Sequence, residues 1–175
     1  MRRNLLLILF IIFFINSCSC SKNIENTFSK VKKTNFILLK FDSAIEKIIS
    51  EMLKPNHILI FNKKLFFIDL LENQTNIFID REKITDLIKH KISIKNNDIH
   101  FLEKNMIKKN KKKIGILEIK KTLDTSTAIF FSRNNNVEYY IHSCISGKNE
   151  PFLLKIELIL VKTGEIVFMK EERCY

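Results

Sequence analysis

The sequence predicts one mixed α/β domain, a sheet with helices packed on it, behind a short N-terminal export segment. Three observations carry this. After residue 40 the apolar residues switch repeatedly between helical spacing and strand-like runs. The last quarter of the chain holds two apolar runs joined by a turn with one glycine, the pattern of a hairpin. And 175 residues, 46% of them apolar, suffice for one core without any internal repeat.

The elements follow in order. Ser43-Ala44-Ile45-Glu46 has the form of a capping box, and Ile45, Ile48, Ile49, Met52 and Leu53 then recur at helical spacing until Pro55. Leu65–Leu71 reads as a buried strand, and Glu72–Asn76 as the polar turn after it. Asp80 can cap a helix carrying Ile84, Leu87 and Ile88, and Ile99–Leu102 is a short strand. Met106–Lys121 mixes lysines with Ile107, Ile114, Leu117 and Ile119, a solvated helix with one apolar edge. Asp124 or Thr125 starts a further helix, ended by Asn134-Asn135-Asn136. Val137–His142 alternates as a strand, Phe152–Val161 is a longer one, and Lys162-Thr163-Gly164-Glu165 turns it into Ile166–Met169.

Composition removes several chemistries. The only glycines are Gly115, Gly147 and Gly164, so neither a Gly-rich phosphate cradle nor a nucleophile elbow can be written anywhere. The formal charge of +11 invites a nucleic-acid reading. However, the excess is 25 Lys against 5 Arg, alongside 29 Ile, 17 Asn and only 2 Ala, the signature of AT-rich codons. Base readers favour the arginine fork, so nucleic acid is not an expected partner.

The first twenty residues are the most informative. Met1-Arg2-Arg3-Asn4 is a short positive start, and Leu5–Ile15 is an unbroken apolar run of eleven residues. That length suits a secretory leader and falls short of the ~20 residues of a spanning helix. Ile15-Asn16-Ser17-Cys18 then resembles the bacterial lipobox, in which the cysteine is acylated and becomes the new N-terminus. Two or three acyl chains hold a protein on a membrane where one does not. This resemblance implies a signal peptide over 1–17, lipidation at Cys18 and a short tether over 18–40 ahead of a domain at 41–175. Cys20 is a poorer acceptor, because Ser17 would take its aliphatic position. With Ser19 after Cys18, the destination implied is the outer membrane, facing the periplasm.

Candidate chemistry in the domain is sparse. Removing Cys18 leaves Cys20, Cys144 and Cys174, an odd number, with Cys144 a small buried hydrophobe and a Cys20–Cys174 bridge open. His57, His90, His100 and His142 form no metal-binding pair. His142 and Cys144 share a strand face while Ser143 points away, which suits strand residues better than a nucleophile and its base. Asp69, inside an apolar strand, is expected as a hydrogen-bond acceptor at the sheet end. Lys108–Lys113 reads as a solvated face. No catalytic set, metal, cofactor or small-molecule substrate is expected; the chain reads as a non-enzyme.

Two blocks bring a family into view. Leu70-Leu71-Glu72-Asn73-Gln74-Thr75-Asn76 resembles the N-x-T-N turn of LpoB-type outer-membrane lipoproteins, and Leu158–Val167 resembles their terminal hairpin with its T-G-E-I turn. The likeness runs from about residue 40 to the C-terminus. It implies a small α/β domain related to the N-terminal domain of TolB, with a mixed four-stranded sheet flanked by helices. It also implies a role as an activator that docks on a class A penicillin-binding protein and stimulates peptidoglycan synthesis. Docking would then fall to Asn73, Gln74, Thr75 and Asn76, with Thr163, Glu165 and His142. The chain departs from the family in its tether, about 22 residues and at most ~75 Å fully stretched. The competing reading is a TolB-like envelope scaffold lipoprotein with another protein partner.

Overall fold

The computed structural model describes residues 41–55, 63–116 and 122–175, all within the compact unit Lys33–Tyr175. Helix α1 (residues 41–52) buries Phe41, Ala44, Ile45, Ile48, Ile49 and Met52, a single stripe at i, i+3, i+4 spacing. Helix is already present at Phe41, so Ser43 lies inside α1 and is not its cap. The pattern Ser-x-x-Glu misled because Phe41 extends the apolar stripe upstream of it.

Strand β1 (Lys64–Ile68) is followed by β2 (Glu72–Asn73), helix α2 (Arg81–Lys95) and β3 (Ile99–Phe101). Helices α3 (Lys104–Lys113) and α4 (Thr125–Arg133) precede three long strands, β4 (Tyr139–Ser146), β5 (Phe152–Leu160) and β6 (Glu165–Cys174). Asp80 caps α2 by accepting from Lys83 N at 3.1 Å, and Asp124 caps α4 by accepting from Thr127 N at 2.9 Å. Leu117 and Ile119, expected on the edge of the third helix, lie outside the described residues.

The sheet has the order β3-β1-β4-β5-β6, with β2 beside β4. β1 runs parallel to β3 and β4, whereas β4, β5 and β6 form an antiparallel meander. The expectation of four strands is corrected to six segments. β1 and β2 lie along the same edge of β4, with Ile68 opposite Ile141 and Glu72 opposite Cys144. Four steps on one side meet three on the other, so one extra residue bulges out between them. Glu72 and Asn73, expected in a turn, therefore continue the ladder. Their polar side chains hid this, because an edge segment needs no apolar alternation to make backbone hydrogen bonds. β6 also runs to Cys174, five residues beyond the expected Met169.

Both faces of the sheet are covered, one more fully than the other. On one face Phe66, Ile68, Ile141, Ile145, Leu154, Ile156 and Leu158 pack against α1 and α2. On the other, Phe67, Tyr140 and Ile159 meet Ala128 and Phe131 of α4. The period of two along β4 enforces this division: Ile141 and Ile145 point one way, Tyr140, His142 and Cys144 the other. α4 covers the Tyr140 end of the second face. Toward the Cys144 end the face opens, with Met169 59% and Leu153 37% exposed. Among the described residues no helix is long and apolar enough to cross a membrane.

Candidate docking surface

The bulge after β1 sets up the loop that follows β2. It is held from α2: Thr85 Oγ1 accepts from Leu71 N at 2.9 Å and donates to Arg81 O at 2.8 Å, while Arg81 Nε donates to Leu71 O. These bonds satisfy backbone groups that the broken ladder would leave buried and unpaired. Gln74 N then donates to Ile145 O at 2.8 Å, so the pairing ends one residue past β2.

Asn73 shapes what comes next. Its Oδ1 accepts from Thr75 N at 2.9 Å and from Thr75 Oγ1 at 2.7 Å, and its Nδ2 donates to Ile77 O at 3.0 Å. This is an Asx turn, which spends the polar atoms of Asn73 and Thr75 inside the loop. Gln74, Asn76 and Phe78 are the exposed residues, alternating with half-buried or buried Thr75, Ile77 and Ile79. Phe78 is 70% exposed, the most exposed large apolar side chain described. The sequence reading missed it, because nothing in a lone Phe between two isoleucines says which of the three turns outward.

His142 lies on the open half of the sheet between two carboxylates. Its Nδ1 is 2.8 Å from Glu157 Oε2 and its Nε2 is 3.2 Å from Glu72 Oε2. Lys155 Nζ donates to Glu157 Oε1 at 3.0 Å, and Gln74 Nε2 donates to Glu72 Oε1 at 3.0 Å. A polar chain thus crosses β5, β4 and β2 in the order Lys155, Glu157, His142, Glu72, Gln74. For Glu157, burial pushes the carboxyl up, but the bonds from His142 and Lys155 outweigh it and the net shift is downward. For Glu72 the bond from Gln74 leads the downward shift, opposed by burial and helped by His142. The signal for Glu157 was its place opposite His142 in the hairpin register, legible only once the register is known.

The second expected contact lies elsewhere. Gly164 takes a φ of 83°, which a side chain would resist, and its N donates to Leu160 O at 2.8 Å. Thr163 Oγ1 donates to Glu165 Oε2 at 3.0 Å, and Arg133 of α4 pins the turn by donating from Nε to Val161 O at 2.9 Å. Glu165 is paired with Leu160, which faces Tyr139 at the start of β4, whereas Asn73 faces Ile145 near its end. Six residues of extended strand separate them, about 20 Å. The structure joins His142 to the Asn73–Asn76 loop through Glu72 and leaves Thr163 and Glu165 at the opposite end of the sheet. Cys18 and Cys20 lie outside the described residues.

Neither buried cysteine suits nucleophilic work. Burial pushes the thiol of Cys144 up to about 11 and that of Cys174 up to about 12. Among the described residues no group of three His, Cys, Asp or Glu is placed to hold a metal ion. What the surface offers is shape, hydrogen bonds and one exposed ring.

The family described as peptidoglycan-synthase activator LpoB matches residues 40–174. The chain belongs to the LpoB family. Protein BU358 of Buchnera aphidicola subsp. Acyrthosiphon pisum is 98% identical over 169 residues, 97% of this chain and all of that one. The penicillin-binding protein activator LpoB of Photorhabdus laumondii is 26% identical over 130 residues, covering 74% of this chain and 67% of its own length. The LpoB of Escherichia coli is 23% identical over 128 residues, 73% of this chain and 59% of its own. The chain thus aligns with roughly three fifths to two thirds of these activators' length. The solved C-terminal domain of LpoB from Salmonella enterica superposes with a TM-score of 0.69 at 22% identity, covering 76% of this chain and 96% of that domain. At that identity the likeness establishes the LpoB C-terminal fold.

Proposed function

We propose that this chain is a lipid-anchored outer-membrane protein that binds a class A penicillin-binding protein and stimulates peptidoglycan synthesis, acting by contact and with no catalysis of its own. The observation that carries the reading is the LpoB match over residues 40–174, on a fold shared with the LpoB C-terminal domain. The signal peptide over 1–17, acylation at Cys18 and the tether over 18–40 belong to the same proposal. They rest on the apolar run and the Ile-Asn-Ser-Cys sequence.

An activator of this kind must bind the active conformation of its synthase more tightly than the inactive one, since only differential affinity shifts an equilibrium. A rigid sheet that presents a pinned loop suits that task, because little ordering entropy is lost on docking. Asn73 and Thr75 preorganise the loop, and Gln74 and Asn76 project from it beside the exposed ring of Phe78. Glu72, itself bonded to His142, holds the side-chain amide of Gln74. Thr163 and Glu165, at the far end of the sheet, form a second contact region. Aromatic side chains dominate interface energetics, so Phe78 is the anchor of the first.

Two experiments test this. Incorporation of labelled palmitate should occur in the native chain and vanish in Cys18→Ala. Capture of a class A synthase by the native chain should weaken at least about tenfold in Phe78→Ala, the loss of one good anchor. Capture of a different envelope protein, with no affinity for the synthase, would favour the scaffold reading instead.

A further inference from the structure

Helix α3 has a composition that its own packing does not explain. Six of its ten residues are lysine, and it contains no acidic residue. Ile107 and Ile114 pack against the smaller core, Lys111 reaches Asp69 at 3.2 Å, and Asn110 hydrogen-bonds Asn135, which together define the inward side. At 100° per residue, Lys108, Lys112, Lys109 and Lys113 then occupy an outward arc of roughly 140°. All four are exposed, and Met106, 45% exposed, borders the arc. Lys104 is paired with Asp86 at 3.0 Å. Among the described residues no carboxylate pairs with Lys109, Lys112 or Lys113. Like charges three and four apart destabilise a helix, so α3 keeps a self-repulsion that an external anion would relieve.

We infer that the outward face of α3 is a binding surface for an anionic phospholipid bilayer. The inference rests on the lipid-anchored reading above, because the anchor supplies the bilayer. The 22 residues between Cys18 and α1 reach at most ~75 Å whatever their conformation, so the anchor confines the domain to the neighbourhood of the headgroups. Surface potential falls off within a Debye length of about 8 Å, so a helix roughly 15 Å long lying on the surface brings the ammonium groups of Lys109, Lys112 and Lys113 within range. Nucleic acid fits less well. The arc has no arginine fork and no aromatic ring on which a base can stack. Lysine, a strongly hydrated point charge, suits a headgroup layer that presents many phosphates and no fixed geometry.

The test uses the chain from Ser19 onward, spun with phospholipid vesicles that are neutral or carry about 30% phosphatidylglycerol, at roughly 0.1 M salt. Binding to the anionic vesicles alone is expected. Each lysine near such a surface multiplies the partition constant about fivefold, so Lys109→Gln/Lys112→Gln/Lys113→Gln should lower it about 100-fold. The matching triple Arg variant should retain it, which separates loss of charge from loss of fold. No binding to anionic vesicles, unchanged binding in the Gln variant, or tighter binding to a short DNA duplex at the same salt would each overturn the inference. Failure of Cys18 to take palmitate would remove the anchor without altering this partition, so the two results stay separable.

Discussion

Asp69 Oδ2 accepts a hydrogen bond from the backbone N–H of Leu123 at 2.6 Å, tying the bulge after β1 to a residue 54 positions later. The other oxygen, Oδ1, accepts from Lys111 Nζ of α3 at 3.2 Å. One buried carboxylate thus fastens α3 and the entry to α4 onto the end of β1. Asp69→Ala leaves a buried N–H and a mostly buried ammonium without their partner, and should cost about 2–4 kcal/mol. A lower denaturant midpoint at unchanged slope is the expected result; a loss under about 0.5 kcal/mol would show that the bond does not hold the fold.

The carboxylates around His142 set an acid limit. Glu72 and Glu157 are both held below the ordinary carboxylate range in the folded chain. The unfolded chain therefore takes up protons first as pH falls. The stabilisation is complete above the ordinary glutamate value near 4.5 and is lost as pH drops through the folded values. Urea midpoints measured from about pH 6 to about pH 3 should fall on the acid side, and the fall should be shallower in Glu157→Gln. Equal slopes in the two proteins would contradict this origin.

Tyr140 is fully buried between Phe67 and α4, and its hydroxyl has no hydrogen-bond partner among the described residues. The ring stacks on Phe67 with centroids 5.5 Å apart, a contact that phenylalanine keeps. Tyr140→Phe removes only the unpaired oxygen and should raise stability by about 1 kcal/mol. A destabilised variant would mean that the hydroxyl is satisfied in solution.

Cys144 and Cys174 should resist alkylation in the native chain. Both are buried, and burial pushes both thiols well above neutrality. Iodoacetamide near pH 8 should modify them slowly when folded and rapidly in denaturant. Rapid native labelling of Cys174 would show that the end of β6 opens, the access that a bridge to Cys20 would need.

Much of this architecture was legible in the sequence. Asp80 and Asp124 were readable as caps because an oxygen-bearing side chain just ahead of helical spacing has one obvious task. The T-G turn was readable because Gly164 adopts a φ that side chains resist. Asp69 as an acceptor followed from the cost of an unpaired carboxylate among apolar neighbours. What stayed hidden depended on long-range register. The extension of the ladder through Glu72 and Asn73 needed the bulge, and the Glu72–His142–Glu157 chain needed three strands side by side. The separation of Asn73–Asn76 from Thr163 and Glu165 likewise depends on which way β4 runs between them, and local spacing does not carry that.

The proposed function is tested most directly by the rate of glycan-strand synthesis by a class A penicillin-binding protein from the same cell, with and without the chain from Ser19 onward. The rate is expected to rise with added protein, to saturate, and to need more protein to saturate when Phe78 is replaced by alanine. An unchanged rate at concentrations where the two proteins are demonstrably bound would contradict that function.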